Sequence, residues 1–316
     1  MSKRLSIGSW AYTIGPYADH PVDFDTVCRK VAAIGFDGIE LGGFKPHPNP
    51  DDFPDKSQRA ELAAKVKGYG LDFSGLAANL WHLKLVNTDD NKPYIDEFRK
   101  NCKFCVDLGI KTIRVDTVQP PTVLKEMEYD TAMLRVVKTW RECVIIAADH
   151  GLRITWEFEP GFVFNKPSEI LRILNAVDAA NFGLLYDTCH GEMVSVVGAR
   201  HQGGKETLPG GQVEFVKMLK GKINHIHLID SDHLCHKDKN GEDETSTHMP
   251  FGHGLVDFDA VVPELEQAGV PHDWWTIDLC FWPEAWEATE KCKLYLDGLA
   301  AKYGSIAEKR ETAKVA

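Results

Sequence analysis

The sequence has few of the features that would direct a chain to a membrane or to nucleic acid. No stretch approaches the roughly 20 apolar residues of a membrane-spanning helix, and the opening residues "MSKRLSIGSWAY" contain no apolar run of signal-peptide length. Positive charge is scarce, because 36 Lys and Arg stand against 47 Asp and Glu, a formal net charge of −11. This charge repels phosphate backbones and anionic lipid. We therefore expect a cytoplasmic protein that binds neither nucleic acid nor a membrane.

Cysteine is also too sparse and scattered for a disulfide scaffold or a structural zinc site. The chain has eight cysteines in 316 residues. Cys102 and Cys105 form one CxxC, but they lie in a segment with helical apolar spacing, and no second CxxC completes a zinc site. We expect reduced thiols that pack in the interior. With 43% hydrophobic residues, a chain of this length can bury a large core.

Strand-like and helix-like patterns alternate eight times along the chain. Several of the amphipathic segments end in Gly before the next strand, as in "DLGIKTI", which is typical of a helix C-cap and a short loop. This alternation predicts an α/β fold, a single (β/α)8 TIM barrel over residues 1–304, with a polar tail at 305–316. The alternative is a doubly wound open sheet, but "GSWAYTIGPYADH" lacks the expected GxGxxG turn. The predicted strands lie in "LSIGSWAY", "FDGIELGGF", "LDFSGLAANLW", "IKTIRVDT", "LRITWEFEP", "FGLLYDTCH", "INHIHLID" and "WWTIDLCFW".

Metal-binding side chains occur at the ends of the last four predicted strands. Active sites of TIM barrels form at the C-terminal ends of the strands. One acid at such a position is commonly a helix cap, but its recurrence on four adjacent strands indicates a common site. Carboxylates with an imidazole form a mostly hard ligand set, so we expect one divalent ion, Mn²⁺ first, with Mg²⁺, Co²⁺ or Zn²⁺ as alternatives. The residues are Glu157 and Glu159 on the fifth strand, Asp187 and His190 on the sixth, His225, His227 and Asp230 on the seventh, and Asp278 on the eighth.

Other strand ends predict a wall around this site. Aromatic faces beside polar groups suit a sugar ring, which has apolar CH faces and a polar edge. The segment after the seventh strand, about residues 230–256, has little periodicity, and loops of such length in compact domains are usually functional. We expect it to be an irregular cover over the site, with His248 reaching the substrate. The predicted wall residues are Trp10, Tyr12, Glu40, Phe44, Trp81, His82 and Asp116.

The motifs "DTCH" and "HIHLID", with Glu on strand five and an acid on strand eight, resemble the xylose isomerase-like superfamily of sugar and sugar-phosphate isomerases and epimerases. The resemblance covers nearly the whole chain. It implies four metal ligands, contact of His190 with the substrate, and proton transfer by the acids of strands five and eight. It favours Glu157 over Glu159 as ligand and leaves Glu159 near the substrate as an additional acid or base. The implied ligands are Glu157, Asp187, His227 and Asp278.

Two positions depart from the pattern of the superfamily. Its strand-eight ligand is usually Glu, and Asp278 is shorter by one methylene. Ketose epimerases also carry an Arg in the loop after strand seven, where this chain offers His233 for substrate binding. The pose of the substrate is therefore not transferable from the family.

The resemblance implies an isomerase or epimerase that removes a proton α to a metal-chelated carbonyl of a ketose or cyclitol. The same enolate could expel a β substituent, which would make the enzyme a lyase, of the inosose dehydratase type or one that cleaves 3-keto-glycosides or C-glycosides. A non-catalytic sugar-binding barrel and an endonuclease IV-like nuclease are further alternatives, and the charge of −11 disfavours the nuclease. No Arg or Lys cluster at the mouth calls for a phosphate. The sequence leaves open whether the chain acts as a homo-oligomer or with a partner subunit.

Overall fold

The computed structural model describes residues 3–304, and the predicted (β/α)8 barrel is confirmed in it. Eight parallel strands form one sheet, and a two-stranded hairpin interrupts the chain between the seventh and eighth of them. The polar tail predicted at 305–316 lies outside the described residues. The strands are β1 (Arg4–Ile7), β2 (Gly38–Gly43), β3 (Asp72–Ala78), β4 (Thr112–Val115), β5 (Arg153–Glu157), β6 (Phe182–Asp187), β7 (Ile223–Leu228), the hairpin strands β8 (Asp230–Lys237) and β9 (Asp243–Met249), and β10 (Trp274–Ile277).

The helices pack around the outside of the barrel. Gly35 and Gly109 end two of them with φ of 93° and 76°, the left-handed conformation that the glycines at these places predict. A one-turn helix directly after β6 begins at Asp187, whose side chain caps it. The helices are α1 (Phe24–Ile34), α2 (Lys56–Gly68), α3 (Lys92–Leu108), α4 (Tyr129–Asp149), α5 (Pro167–Val177), α6 (Thr188–Glu192), α7 (Gly211–Met218), α8 (Phe258–Gln267) and α9 (Ala285–Tyr303).

The order of the strands aligns their polar ends at one mouth. The sheet runs β1, β10, β7, β6, β5, β4, β3, β2, and a parallel bridge between Gly8 and Glu40 joins its two edges. In the register of β6 with β7, Asp187 lies opposite His227. His227 also lies opposite Thr276 on β10, two residues before Asp278. Since side chains alternate across a strand, these residues point into the same end of the barrel.

The core is large and mostly apolar. Trp140 on α4 and Trp156 on β5 are fully buried, with ring centroids 5.2 Å apart, between the helix layer and the sheet. Cys102 and Cys105 on α3 are buried free thiols, which confirms that this CxxC packs in the core. Within residues 3–304, no helix combines the length and apolarity that a membrane span requires.

The segment after β7 is more ordered than the irregular cover that we expected. Strands β8 and β9 pair antiparallel, with Ser231 opposite His248. The Asp230 carboxylate accepts hydrogen bonds from the backbone N–H groups of Gly252 and Gly254 at 3.0 and 2.9 Å and closes the base of the hairpin. Neither strand alternates apolar and polar residues, because the hairpin lies over the polar mouth of the barrel. The usual sequence signal of a strand was therefore missing.

Candidate metal centre

Four side chains from four adjacent barrel strands meet at the C-terminal mouth. Glu157 ends β5, Asp187 ends β6, His227 lies on β7 and Asp278 directly follows β10. Their ligand atoms all lie within 4.8 Å of one another, and all four residues are buried. The Nδ1 atom of His227 lies 3.3 Å from Glu157 Oε1, 3.4 Å from Asp278 Oδ2 and 3.9 Å from Asp187 Oδ2. The structure thus brings together the four residues predicted as metal ligands.

In two of these carboxylates, hydrogen bonds hold one oxygen, and the second oxygen of the same side chain therefore points at the cluster. Asp187 Oδ1 accepts hydrogen bonds from the backbone N–H groups of Cys189 and His190 at 2.7 and 2.9 Å, since Asp187 is the N-cap of α6. Asp278 Oδ1 accepts a hydrogen bond from Trp10 Nε1 at 2.9 Å. In both residues the Oδ2 atom is therefore the one that faces His227.

Glu157 and His227 are oriented in the same manner. Glu157 Oε2 pairs with the guanidinium of Arg114, and His227 Nε2 lies 3.1 Å from Glu40 Oε2. Burial opposes ionisation of Glu40, but His225 and His227 outweigh it and hold the pKa of Glu40 well below its usual range. Because an ionised carboxylate only accepts hydrogen bonds, His227 donates through Nε2 and keeps Nδ1 for the cluster.

These anchors leave three buried atoms without a hydrogen-bond partner: Glu157 Oε1, Asp187 Oδ2 and His227 Nδ1. Unpaired buried polar atoms are costly and rare in folded proteins. Here all three face one another at distances close enough for a shared cation. Three carboxylate oxygens and one imidazole nitrogen fit Mn²⁺, Mg²⁺, Co²⁺ or Zn²⁺. The donor set therefore fits one divalent ion.

The electrostatics of the cluster indicate the same conclusion. Burial and the neighbouring Asp278 carboxylate raise the pKa of Asp187 well above its usual range. Burial also raises the pKa of Glu157, although Arg114 opposes this shift. Carboxylates crowded in this way resist ionisation until a positive charge joins them. A divalent cation supplies that charge, whereas without it bound protons must do so.

A second group of polar side chains lies beside the ligands. Burial and the carboxylate of Glu157 raise the pKa of Glu159 to about 8. Glu159 accepts a hydrogen bond from the Thr245 hydroxyl, and its Oε2 lies 3.4 Å from His190 Nε2. The other ring nitrogen of His190, Nδ1, lies 2.9 Å from Ser246 Oγ. The group therefore contains a carboxyl that carries a proton at neutral pH next to an imidazole.

His248 completes this group from strand β9. Its ring stands edge-on to that of His190, with centroids 4.9 Å apart, and its Nε2 lies 3.8 Å from Asp187 Oδ2. Burial lowers the pKa of His248 to about 4, so the ring is neutral. Neither ring nitrogen has a hydrogen-bond partner among residues 3–304. His248 was predicted to reach the site, whereas the neighbouring hydroxyl residues Thr245 and Ser246 carried no signal that set them apart in a polar segment.

Four residues predicted to bind substrate lie outside the cavity wall. Glu40 sits beneath the cluster between two imidazoles, and Asp116 is buried by hydrogen bonds from Arg114 and Trp81 at 2.9 Å each. Both carboxylates therefore make their hydrogen bonds to other side chains of the protein. The remaining two are His82, which is exposed on the loop after β3, and His233, whose Nε2 lies 2.9 Å from Glu192 Oε1.

Arg114 on β4 is a site residue that our sequence analysis did not select. It is buried, and it bridges Asp116 and Glu157. The sequence did contain an indication of this role. Arg114 lies two residues before Asp116 in the apolar run "TIRVD", so both side chains lie on the inward face of the strand. A cation in a buried strand needs a carboxylate partner, and the only inward-facing acids nearby are those of the site.

The ligands open into one cavity of about 810 Å³. Its floor carries Glu157, Glu159, His190 and Asp278, and Trp10 lies at their side. Its lining also includes four aromatic side chains, those of Phe44, Trp81, Phe162 and Phe281. Of the predicted wall residues, Trp10, Phe44 and Trp81 thus line the cavity, as do the predicted site residues His190 and His248. Tyr12 is instead buried, with its hydroxyl 2.6 Å from Thr289 Oγ1.

Comparison with known proteins finds this architecture in a group of relatives. Residues 28–292 match the family model of the xylose isomerase-like TIM barrel. The chain is 28% identical over 270 residues to the inosose isomerase of Bacillus velezensis, covering 83% of this chain and 84% of that protein. It is 22% identical over 254 residues to the inosose dehydratase of Bacillus licheniformis, covering 76% of this chain and 75% of that protein.

Solved structures share the fold over almost the whole length. The IOLI protein with a bound zinc atom superposes with a TM-score of 0.69 at 22% identity, over 95% of this chain and 99% of that chain. A D-tagatose 3-epimerase-like protein superposes with a TM-score of 0.69 at 19% identity, over 95% and 99% of the two chains. At these identities the likeness establishes the fold.

Proposed function

The chain belongs to the xylose isomerase-like TIM barrel family, and from this membership we propose that it is a divalent-metal-dependent enzyme that isomerises or epimerises a sugar or cyclitol. The reaction begins with removal of a proton α to a carbonyl. One observation carries the proposal: Glu157 Oε1, Asp187 Oδ2 and His227 Nδ1 are buried without hydrogen-bond partners and face one another at the mouth of the barrel. The relationship to an inosose isomerase supports the substrate class.

The ligands Glu157, Asp187, His227 and Asp278 would hold the ion. When bound, a divalent ion polarises the carbonyl of the substrate and stabilises the negative charge that develops on its oxygen. The carboxylates of Glu157 and Asp278 come from strands on either side of β6 and β7, so they approach the reacting carbon from two sides. One of them removes the α-proton and the other returns it. Return to the neighbouring carbon isomerises the sugar, and return to the opposite face epimerises it.

Glu159 and His190 assist this transfer from the floor of the cavity. Burial and the carboxylate of Glu157 raise the pKa of Glu159 to about 8, which favours a protonated carboxyl that can donate a hydrogen bond to a substrate oxygen. Burial and the nearby His248 lower the pKa of His190 well below its usual range, so its ring is neutral and one nitrogen can accept a hydrogen bond. The hydroxyls of Thr245 and Ser246 orient these two side chains.

A dehydratase is the second candidate. The protonated carboxyl of Glu159 lies beside the ligands, where it could protonate a departing hydroxyl after the α-proton has been removed. The curated relatives include an inosose dehydratase in addition to the isomerase. The two reactions share their first step and differ in what happens to the resulting enolate.

A panel of ketoses, inososes and 3-keto-glycosides, incubated in D₂O with Mn²⁺, tests the proposal. Proton NMR should show exchange of the α-proton for deuterium with conversion to an isomer, while loss of water would identify the dehydratase. At saturating Mn²⁺, Glu157→Gln and Asp278→Asn should abolish exchange, whereas Glu159→Gln should retain part of it. Full turnover by metal-depleted protein would refute metal dependence. Loss of exchange in Glu159→Gln alone would reverse the roles of the two strand-five acids.

A further inference from the structure

The cavity extends well beyond the candidate metal centre. Besides the ionisable side chains of the candidate metal centre, its lining carries a group of large apolar side chains. We call this group the apolar vestibule. Residues of the apolar vestibule are Ile14, Phe44, Trp81, Val118, Phe162 and Phe281.

The volume exceeds what one sugar ring needs. Proteins use pockets of ~300–1,000 Å³ for drug-sized ligands, and this cavity, at about 810 Å³, lies in the upper part of that range. A single sugar or cyclitol is much smaller and polar on most of its edge. A sugar bound at the metal centre would therefore leave the apolar vestibule to a second group of the same substrate.

The apolar vestibule has fixed walls. Phe44 and Trp81 pack with ring centroids 5.2 Å apart, and the indole N–H of Trp81 is tied to Asp116. On other sides the backbone holds Val118 and Phe281 at φ of 52° and 62°, which β-branched and bulky residues rarely adopt. Such strained residues persist only where the surrounding structure holds them, and they cluster at ligand-binding sites.

Gly15 explains how Phe281 reaches its position. A Cβ atom on Gly15 would lie 2.4 Å from Cδ1 of the Phe281 ring, and Gly15 itself has φ of +55°. Only glycine combines this conformation with such a close approach. The chain thus makes room for an aromatic ring at the edge of the cavity rather than for a polar side chain.

The charges around the cavity disfavour an anionic occupant. The guanidinium of Arg114 is already paired with Asp116 and Glu157. At the outer edge, Lys125 and Arg200 are outnumbered by acids of the hairpin, which repel phosphate and carboxylate groups. These hairpin acids are Asp238, Glu242, Asp243 and Glu244.

We propose that the apolar vestibule binds an uncharged aromatic group attached to the sugar or cyclitol, so that the substrate is an aryl-substituted keto sugar, such as an aromatic glycoside with a ketone in its sugar ring. This inference rests on the proposed function, which seats the sugar ring at the metal centre. The ring planes of Phe44 and Trp81 are inclined to each other by 41°, and such rings recognise another aromatic ring better than an alkyl chain, because aromatic pairs gain binding energy beyond that of the area that they bury. The substituent gives binding energy and specificity, while the chemistry takes place on the sugar.

Matched pairs of phenyl and methyl 3-keto-β-D-glycosides, in gluco, galacto and xylo configurations, test the proposal by calorimetry on Mn²⁺-loaded protein. In at least one pair the phenyl glycoside should bind about tenfold more tightly or better, because the ring buries apolar surface. Trp81→Ala and Phe281→Ala should bring this ratio close to one without changing the affinity of the methyl glycoside. Trp81→Phe, which keeps a ring, should retain most of the preference. Tyr295→Ala is the matched control, since Tyr295 is 39% exposed against 36% for Trp81 and does not line the cavity.

Equal binding of the phenyl and methyl members of every pair would overturn the proposal, as would a preference that survives in both alanine variants. Tighter binding of the 6-phosphate of a phenyl glycoside would overturn the uncharged substrate class. Metal depletion separates this inference from the proposed function. If the sugar ring sits at the metal centre, depletion weakens both members of a pair by a similar factor. If depletion changes neither affinity, the proposed function fails, while the phenyl to methyl ratio still decides the role of the apolar vestibule.

Discussion

Two clusters of buried ionisable side chains share His227 and differ in how their polar atoms are satisfied. Below the ring, Glu40 Oε2 lies 2.6 Å from His225 Nε2, and His225 Nδ1 lies 3.0 Å from His272 Nε2. Above the ring, Glu157, Asp187 and Asp278 each present an oxygen to His227 Nδ1 with little or no hydrogen bonding of its own. Both clusters have the residue types and spacing of a metal site. Only the upper one leaves buried ligand atoms unpaired and opens into the cavity.

The two clusters also differ in the balance between carboxylates and imidazoles. The lower cluster sets one carboxylate between two imidazoles, and these hold the pKa of Glu40 well below its usual range in spite of its burial. The upper cluster sets three carboxylates around one imidazole, and the pKa of Asp187 is raised well above its usual range by burial and by Asp278. The lower cluster is therefore electrostatically complete without an ion, and the upper one is not. Burial and composition identify polar clusters, but unsatisfied atoms and unbalanced charge identify the ligands.

The largest effect is expected from Asp187→Asn in the upper cluster. The amide oxygen can still cap α6, but the charge that faces His227 is lost, so metal affinity should fall by more than the ~10–100-fold typical of changes to outer-shell residues. In metal-free protein, the same substitution should stabilise the fold by on the order of 1 kcal/mol, because the raised pKa of Asp187 makes the folded chain take up a proton at neutral pH and the amide does not require one. Calorimetric metal titration and thermal unfolding with and without Mn²⁺ measure both effects. A destabilised metal-free variant, or unchanged metal affinity, would contradict the contrast between the clusters.

A smaller effect on metal binding is expected from Glu40→Gln in the lower cluster. Glu40 fixes the ring orientation of His227, and outer-shell partners of metal-binding histidines typically contribute ~10–100-fold to affinity. Here the metal-free protein should be destabilised, by about 1–3 kcal/mol, because two buried imidazoles lose a charged partner. The two substitutions should thus shift the stability of the metal-free protein in opposite directions. If both shift it in the same direction, the lower cluster is not complete without an ion.

The smallest effect concerns a buried histidine outside both clusters. His201 Nε2 donates to the carbonyl of Asn165 at 3.0 Å, and its Nδ1 accepts from the backbone N–H of Glu206 at 3.1 Å. Burial lowers the pKa of His201 from 6.5 to about 4. The unfolded chain therefore binds the proton first, so the stability that neutral His201 contributes is complete above pH 6.5 and is lost as the pH falls towards 4. Between pH 7 and 4.5, the free energy of unfolding in urea should fall by on the order of 1 kcal/mol less in His201→Gln than in the parent chain. The metal affinity of the variant at neutral pH should be unchanged. If the unfolding free energy of the variant depends on pH as strongly as that of the parent chain, the prediction for His201 is wrong.

The pattern of strands and helices was sufficient to predict the barrel and the meeting of four residues at its mouth. The C-terminal ends of the strands of a barrel all lie at one mouth. The residues of "DTCH" after β6 and of "HIHL" in β7 could therefore be assigned to one site from the sequence. The role of Glu40 could not be predicted in this way. Its position on β2 correctly suggested that it points into the barrel, but whether it lies at the wall or beneath the ligands depends on the depth of its strand relative to β7.

The hairpin shows a different limit of sequence analysis. Its length and its histidines suggested a cover over the site, and His248 does reach the ligands. Its antiparallel pairing, and the contacts of Thr245 with Glu159 and of Ser246 with His190, depend on how β9 lies over the mouth. Polar residues on both faces of a strand produce no periodic signal, because no core lies on either side.

The sequence by itself determined the barrel and the set of ligand types, because these follow from periodicity and from the order of residues along each strand. The family was indicated by the resemblance of the motifs "DTCH" and "HIHLID". Only the tertiary structure decided which polar atoms are already paired, since partners such as Arg114 for Glu157 and Trp10 for Asp278 come from distant parts of the chain. It also decided the size of the cavity and how the rings of Phe44 and Trp81 pack at its wall, because these rings belong to separate loops that meet only when the barrel closes. Local patterns record the direction in which a side chain points, while hydrogen-bond satisfaction and volume are properties of the whole fold.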